Sequence, residues 1–589
     1  MSTDPIDYGV YEAGRDCNYW ELDPTLQYEA ERVYPTDEFE WAEPVLRDYG
    51  EVLGHTIADN SDRIDRHGPE LHTYDADGEV QNYVEYHPDQ FENERITYEE
   101  FGLTHDPFHA PPGRDKPVGF AHTLMMQTLL GYCDTGFACP ASMTTGAAIV
   151  LEKFDDGSLD DYFQALTARD YDDHVEGAMF LTEKQGGSDV GANEVRAEPQ
   201  GDGTYELYGE KWFCSNVDAQ GALALARTPG APEGTKGLSL FLVPRELPDG
   251  ELNDALFRRL KDKLGTIAVP TGEIEYRGAT GYLVGEEGQG FKAMAEMMNY
   301  ERLTNATGAV GVMGRALLES KVRTADREAF GNRIDQYPLM RRDLVEMTVD
   351  YEAAAAFSFE ATRFYDEYKA EGETSDRAWK MMRLLVPIAK KETARKSVEV
   401  TSYAMEVLGG NGYVREHTTE RLLRDAQVLP IWEGTSNILS LDLLRVLGKE
   451  QAHEELVPYV NELLDVEHPF LEALVETVSD RFTDLQNALV TLASEDDDYA
   501  QYHAKELATL TYDVVCAALL VSEAQASLDD GDARKALVAK AHVDKQFGVD
   551  DVRGITSGET FADDHFDAIA RYAHVDPSEL GAEPAPADD

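Results

Sequence analysis

Residues 421–438 read RLLRDAQVLPIWEGTSNI. One carboxylate, Glu433, is followed by Gly434, two hydroxyls (Thr435, Ser436) and an amide (Asn437). A single base beside small hydrogen-bonding groups suits removal of a proton from carbon next to a bulky polar cofactor. The glycine directly after the base lets a ligand approach the backbone closely.

Outward from this stretch, residues 291–447 carry long 3.6-period runs rich in alanine and leucine, which predict an antiparallel helix bundle. Residues 179–290 change character. EVRAEP, YELYGEKWF, ALALART, LSLFLVP and GEIEYRG are short, partly alternating runs separated by turn signals, and they predict a small sheet or barrel. Residues 1–178 read mainly as helix, with a loop at HAPPGRDKPVG (109–119) and a hairpin or ordered loop around Asp77-Gly78. Residues 448–589 form a further acidic helical region. From residue 450 onward it holds 32 acidic and 8 basic residues, with a solvated loop expected at residues 495–498 and a disordered tail at GAEPAPADD. The fold class is therefore α+β and mainly α.

The chain has 589 residues and a net charge of −61, and 19 of its 52 basic residues are lysine. Such self-repulsion destabilises a compact state in dilute buffer and is screened at molar salt. The acid excess thus points to a salty, halophilic cytoplasm and makes nonspecific contact with nucleic acid or an anionic membrane unfavourable. The N-terminal MSTDPIDYGVYE lacks the regions of a signal peptide, and no apolar run was expected to span a membrane, so a cytoplasmic protein is expected. Five scattered cysteines without a CxxC pair argue against a disulfide framework or a metal site.

Several motifs carry chemistry. In MFLTEKQGGSDV (179–190), Thr182 and Ser188 offer hydroxyls, and Gly186-Gly187 offer backbone amides suited to a flavin ring or pyrophosphate. In GEKWFCSN (209–216), Trp212 or Phe213 could wall a flavin face and Ser215 could bond its edge. GEEGQGF (285–291) lacks the preceding strand and following acid of a dinucleotide loop and reads as a connector. Glu301 and Arg302 stand early in a helix, where a solvated ion pair is the competing reading. Arg327, three residues before Phe330-Gly331, is a fork-shaped phosphate donor. MEVLGGNGYV (405–414) places Gly409 and Gly410 where backbone amides are exposed, or where a helix simply ends.

Each motif alone also reads as an ordinary turn, cap or strand. In this order (TEKQGGSD, KWFCSN, GEEGQGF, RxxFG, LGGNGY, LLRDAQ, IWEGTSN) they resemble the full series of the flavin-dependent acyl-CoA dehydrogenases, over about residues 120–447. PELHTYDADG, ACPASMTTGAA and the C-terminal region are more similar to the AidB branch, the bacterial alkylation-response flavoproteins. The resemblance implies an N-terminal helical domain, a β-barrel middle domain, a C-terminal four-helix bundle and an extra helical region. It implies a homotetramer with FAD at subunit interfaces.

By the same resemblance Glu433 is the base that takes the α-proton of an acyl-CoA thioester while the β-hydrogen leaves as hydride to the flavin. Thr182, Ser188, Phe213, Ser215, Thr435 and Asn437 match flavin-contacting positions. Arg327, Gly409 and Gly410 match positions that reach FAD from a neighbouring subunit. Glu301 matches the base of isovaleryl-type enzymes and is the alternative, with Arg302 beside it at the substrate. Pro338 stands where many members carry Gln, which weakens the carry-over there. Electron-transfer flavoprotein is the implied acceptor, with O2 the other option. The AidB branch implies a second reading, a flavoprotein with a DNA-protective or detoxifying role and little dehydrogenase activity. The negative charge speaks against duplex binding.

Overall fold

The computed structural model describes residues 4–371, 376–548 and 551–580, so the expected tail lies outside the described residues. The principal helices in chain order are α1 Pro24–Val33, α2 Phe120–Gly131, α3 Thr135–Phe154, α4 Gly290–Asp326, α5 Pro338–Glu371 and α6 Asp376–Leu408. They continue with α7 Thr419–Ala426, α8 Ser436–Arg445, α9 Glu472–Ser494, α10 Ala504–Asp529 and α11 Arg534–Phe547. The chain divides into two compact units, residues 40–308 and residues 1–39 with 309–589.

In the first unit, β1 (Glu70–Tyr74) and β2 (Val80–Glu85) form the hairpin expected around Asp77-Gly78. Gly78 takes φ 87°, and the Asp75 carboxylate accepts from the amides of Asp77 and Glu79, which fixes the turn. Every residue of α2 is buried, the polar His122, Thr123, Gln127 and Thr128 included. Asp134 caps α3 by accepting from the Phe137 amide.

The middle region is β3 (Gly177–Phe180), β4 (Arg196–Pro199), β5 (Thr204–Ser215), β6 (Gly221–Arg227), β7 (Leu238–Pro244), β8 (Ala255–Leu260) and β9 (Thr271–Val284). β4 pairs with β5, β5 with β9, β9 with β7, β7 with β6, and β6 with β4. That ring closes, so the region is a barrel, with β3 parallel to β6 and β8 antiparallel to β9 on its outside edges. Leu207, Ala224, Phe241 and Ile274 pack in its core. α4 starts against it at Gly290, where a Cβ would sit 2.3 Å from the backbone carbon of Ser239.

In the second unit α5 and α6 pack along each other, and α6 also carries α7 and α8. These helices and the second half of α4 make the expected bundle. The acidic C-terminal helices are not a loose appendix: α10 packs against α5, α8, α9 and α11. α10 is long and apolar enough to cross a membrane by length and composition, which the sequence reading did not anticipate. Of its most apolar window, 78% is buried, which marks it as a core helix. Buried and half-buried ion pairs bind this unit together. Arg534 pairs with Glu352, Lys535 with Glu523 at 2.9 Å, and Arg32 of α1 with Glu360 of α5 at 2.6 Å. At residues 495–498 the exposed acidic run does more than line a loop. Asp496 accepts from the Tyr499 amide and caps the short helix Asp497–Tyr502, whose first turn holds Asp497 and Asp498. All five cysteines are free thiols.

Candidate active site

One end of the barrel gathers the predicted flavin residues of the first unit. The Trp212 amide donates to the Thr182 carbonyl at 3.0 Å, which lays the Gly-rich loop beside β5. Within that loop Gly186 has φ 133°, and a Cβ on Gly187 would meet the Thr182 hydroxyl at 2.6 Å. The backbone conformation requires glycine at 186, and a side chain at 187 would displace the Thr182 hydroxyl. A buried ion pair anchors the loop. Lys211 Nζ donates to Glu183 Oε1 and to the Leu225 carbonyl, both at 2.9 Å. Glu183 also accepts from the amides of Glu194 (2.6 Å) and Val195 (3.2 Å), so one carboxylate ties both ends of the loop. Burial holds the Lys211 ammonium below its ordinary pKa, opposed by the adjacent Glu183.

Phe213 is 56% exposed, with Lys261 Nζ 4.7 Å from its ring centroid. Trp212 is half-buried, with Lys261 Nζ 3.5 Å from its ring centroid. Of the two aromatic candidates Phe213 is the more exposed, and Lys261 reaches both rings. Ser215 Oγ lies 3.1 Å from Thr271 Oγ1, and Lys263 Nζ lies 3.2 Å from the same hydroxyl. Ser188 is exposed on the loop. After Ser215 the chain reverses at Asn216, which holds φ 55° and donates to Glu176 Oε2 at 3.0 Å. Glu176, Glu94 and Asp218 form an acidic group, each capped by one tyrosine: Tyr98 donates to Glu176, Tyr171 to Glu94 and Tyr86 to Asp218. Burial and the neighbouring Glu94 push the Glu176 carboxyl up to about 8.

Glu301 and Arg302 lie on α4, each only 5% exposed. The solvated ion pair is therefore not what forms: α4 begins at Gly290, which carries both residues into its buried middle. Glu301 Oε1 lies 3.2 Å from where a Cβ on Gly146 of α3 would stand, so α3 makes room for this carboxylate.

The second unit holds the remaining candidates. Glu433 sits in the turn between α7 and α8 with φ 53°, and Gly434 follows with φ 107°. A left-handed glutamate is strained backbone and persists where its surroundings hold it. Trp432 packs on Ala309, Ala394 and Leu429. Lys390 of α6, buried to 0% exposure, donates to the Gly434 carbonyl at 2.6 Å. Thr435 is the N-cap residue of α8, and the Leu439 amide donates to its carbonyl at 3.0 Å. Thr435 and Asn437 are exposed beside the half-buried Glu433. Gly409 and Gly410 open the short helix Gly409–Tyr413 after α6, and both face open space. Arg327 is exposed just past the end of α4, before the turn at Phe330 and Gly331.

The structure thus groups Thr182, Ser188, Phe213 and Ser215 at the barrel end, and Glu433, Thr435 and Asn437 at the start of α8. Lys211, Glu183, Lys390 and Glu176 were not singled out in the sequence. Nothing in AKKETARK (389–396) distinguishes the first lysine from its neighbours. Only burial does.

Comparison with known proteins adds three matching family models. Residues 11–173 match the adaptive response protein AidB N-terminal domain. Residues 178–279 match the acyl-CoA dehydrogenase middle domain, and residues 288–448 its C-terminal domain. AidB of Escherichia coli is 34% identical over 430 residues, covering 71% of this chain and 76% of AidB. The 3-methylmercaptopropionyl-CoA dehydrogenase of Ruegeria pomeroyi is 34% identical over 453 residues, covering 71% of this chain and 72% of its own. Among solved structures, Caenorhabditis elegans ACDH-11 in complex with C11-CoA superposes with a TM-score of 0.84 at 29% identity, covering 92% of this chain and 94% of that one.

Proposed function

The chain belongs to the acyl-CoA dehydrogenase family of oxidoreductases, and from that premise we propose that it desaturates an acyl-CoA thioester between Cα and Cβ, with FAD as cofactor and Glu433 as base. The observation that carries this reading is the Glu433–Gly434 turn. A carboxylate stands in a strained left-handed conformation, followed by glycine at the mouth of a helix. Such strain collects where geometry serves chemistry.

The residues present fit FAD. Phe213 offers an exposed aromatic ring, Ser215 and Thr182 hydroxyls, and the Gly186-Gly187 turn backbone amides. Open space over Gly409 and Gly410 admits a ligand's approach. FAD, when bound, supplies the two-electron acceptor for the β-hydrogen. Glu433 removes the α-proton. Its preset position makes that transfer effectively unimolecular, and backbone amides of the loop stabilise negative charge as it develops on the thioester oxygen. Phe213 would flank the bound ring, and the Lys211–Glu183 pair would keep the glycine loop shaped to receive it.

Arg327, Gly409 and Gly410 complete the cofactor site of a neighbouring copy, in a homotetramer. Phe330 and Tyr413 support an oligomer, being 98% and 83% exposed beside those positions in sequence. Electron-transfer flavoprotein reoxidises the enzyme, and the location is cytoplasmic. Acyl-CoA as substrate class is supported by the C11-CoA complex of ACDH-11.

A second reading rests on the AidB match: a flavoprotein with a DNA-protective or detoxifying role. The test is anaerobic bleaching of the FAD-loaded protein in high salt by a panel of acyl-CoA thioesters. Bleaching lost in Glu433→Gln but kept in Glu301→Gln supports the first reading with its base. Loss only in Glu301→Gln moves the base to α4. A flavin that no thioester reduces turns the assignment to the AidB-like role.

A further inference from the structure

The turn that presents Glu433 is held from a distance by a buried charge. Lys390 stands on α6 among Leu384, Leu385, Val386, Ile388 and Ala389, all buried. A side chain at that position needs no charge to pack, and burying an ammonium is costly unless it is well bonded. Lys390 Nζ reaches the Gly434 carbonyl at 2.6 Å, a short charge-assisted hydrogen bond across 44 residues of sequence. That carbonyl lies one residue before the N-cap of α8, and the first helical hydrogen bond ends on that cap, Thr435. α8 fixes the chain at Thr435 and Lys390 fixes it at Gly434. Glu433, left-handed at φ 53°, is the next residue.

We propose that Lys390 is a positioning residue for the base: its ammonium, clamped on the Gly434 carbonyl, holds the Glu433–Gly434 turn in the conformation that aims the carboxylate and the loop amides at the thioester. This rests on Glu433 being the base, as proposed above. Lys390 takes no proton from the substrate and forms no covalent bond. It acts through Glu433 alone, which separates it from a lysine that merely knits α6 to the loop.

The test uses the FAD-loaded full chain and stopped-flow flavin reduction by a straight-chain acyl-CoA that bleaches the parent protein. Lys390→Met, Lys390→Gln, Glu433→Gln and the double variant Lys390→Met with Glu433→Gln are compared, each with its flavin content and melting midpoint. A misplaced base costs on the order of 100-fold in rate, so Lys390→Met should slow reduction at saturating thioester by about that factor. The half-saturating concentration should hardly move, because the loss falls on the transition state. In the Glu433→Gln background, Lys390→Met should slow nothing further. Lys390→Gln, too short to reach the carbonyl, should match Lys390→Met and serves if the methionine variant does not fold. A full reduction rate with only a lowered melting midpoint would overturn the proposal, as would losses that multiply in the double variant. A Glu433→Gln protein that reduces at the parent rate removes the base assignment itself, and that single variant shows it without reference to Lys390.

Discussion

At the scale of single residues, this protein buries a few charges and pairs them. Lys211 is buried, and its partners are Glu183 and one carbonyl. Lys211→Ala leaves the Glu183 carboxylate buried without its cation, so stability should fall by about 3–5 kcal/mol. Urea titration measures that loss, and FAD affinity should fall with it because Glu183 ties both ends of the glycine loop. Glu176 sets a pH dependence. Its carboxyl is raised from 4.5 to about 8, so the folded state binds a proton there that the unfolded state has lost. The contribution is fully present below about 4.5 and is lost as pH rises through about 8. The urea midpoint of the parent should therefore fall across that window, and Glu176→Gln should flatten the slope. A slope unchanged in the variant would remove Glu176 as its source. Neither group was legible in the sequence, because a lysine or glutamate carries no local mark of burial. Glu433 was legible, because Gly434 and the polar cluster after it form a local pattern.

At the scale of elements, periodicity showed the helices and the change to short alternating runs near residue 179, but not which strands meet. The closure of the barrel depends on β4 pairing β6 in parallel and β7 pairing both β6 and β9, contacts remote in sequence. Glu301 shows the same limit. The helical run was read from residue 291 and α4 begins at Gly290, so the start was legible, but the burial of Glu301 and Arg302 against other elements was not. Gly290 is where the helix and the barrel touch most tightly. A Cβ there would stand 2.3 Å from Ser239 and 2.4 Å from Leu240, both backbone atoms that cannot turn aside. Gly290→Ala should cost about 1–3 kcal/mol by overpacking, although alanine favours helices. Gly308, also in α4, has nothing within 4 Å of a Cβ, so Gly308→Ala should be neutral or stabilising. Denaturant melts of the two variants distinguish local packing from helix propensity. Equal effects would refute the close-contact account.

At the scale of the whole molecule, the governing quantity is the net charge of −61. Self-repulsion of that size acts through solvent and is screened by salt, with a Debye length of about 10 Å at 0.1 M and about 3 Å at 1 M. The buried pairs of Arg534 with Glu352 and Lys211 with Glu183 lie out of reach of that screening. Salt should therefore act on the acidic surface and leave these clasps alone. The melting midpoint should climb steeply with KCl between about 0.1 and 1 M and then more slowly. A general salting-out effect of burial would instead keep rising and would be stronger for sulfate than for chloride at matched ionic strength. Surface charge can be varied directly at Glu495 and Asp498, which are exposed and flank the cap made by Asp496. The double variant Glu495→Lys with Asp498→Lys cuts the net charge by four. Its melting midpoint should rise at low salt, and the KCl dependence should become shallower while the high-salt plateau stays put. A parallel shift of the whole curve would mean that the acidic surface does not set the salt requirement, and that the C-terminal helices are stabilised by their core alone.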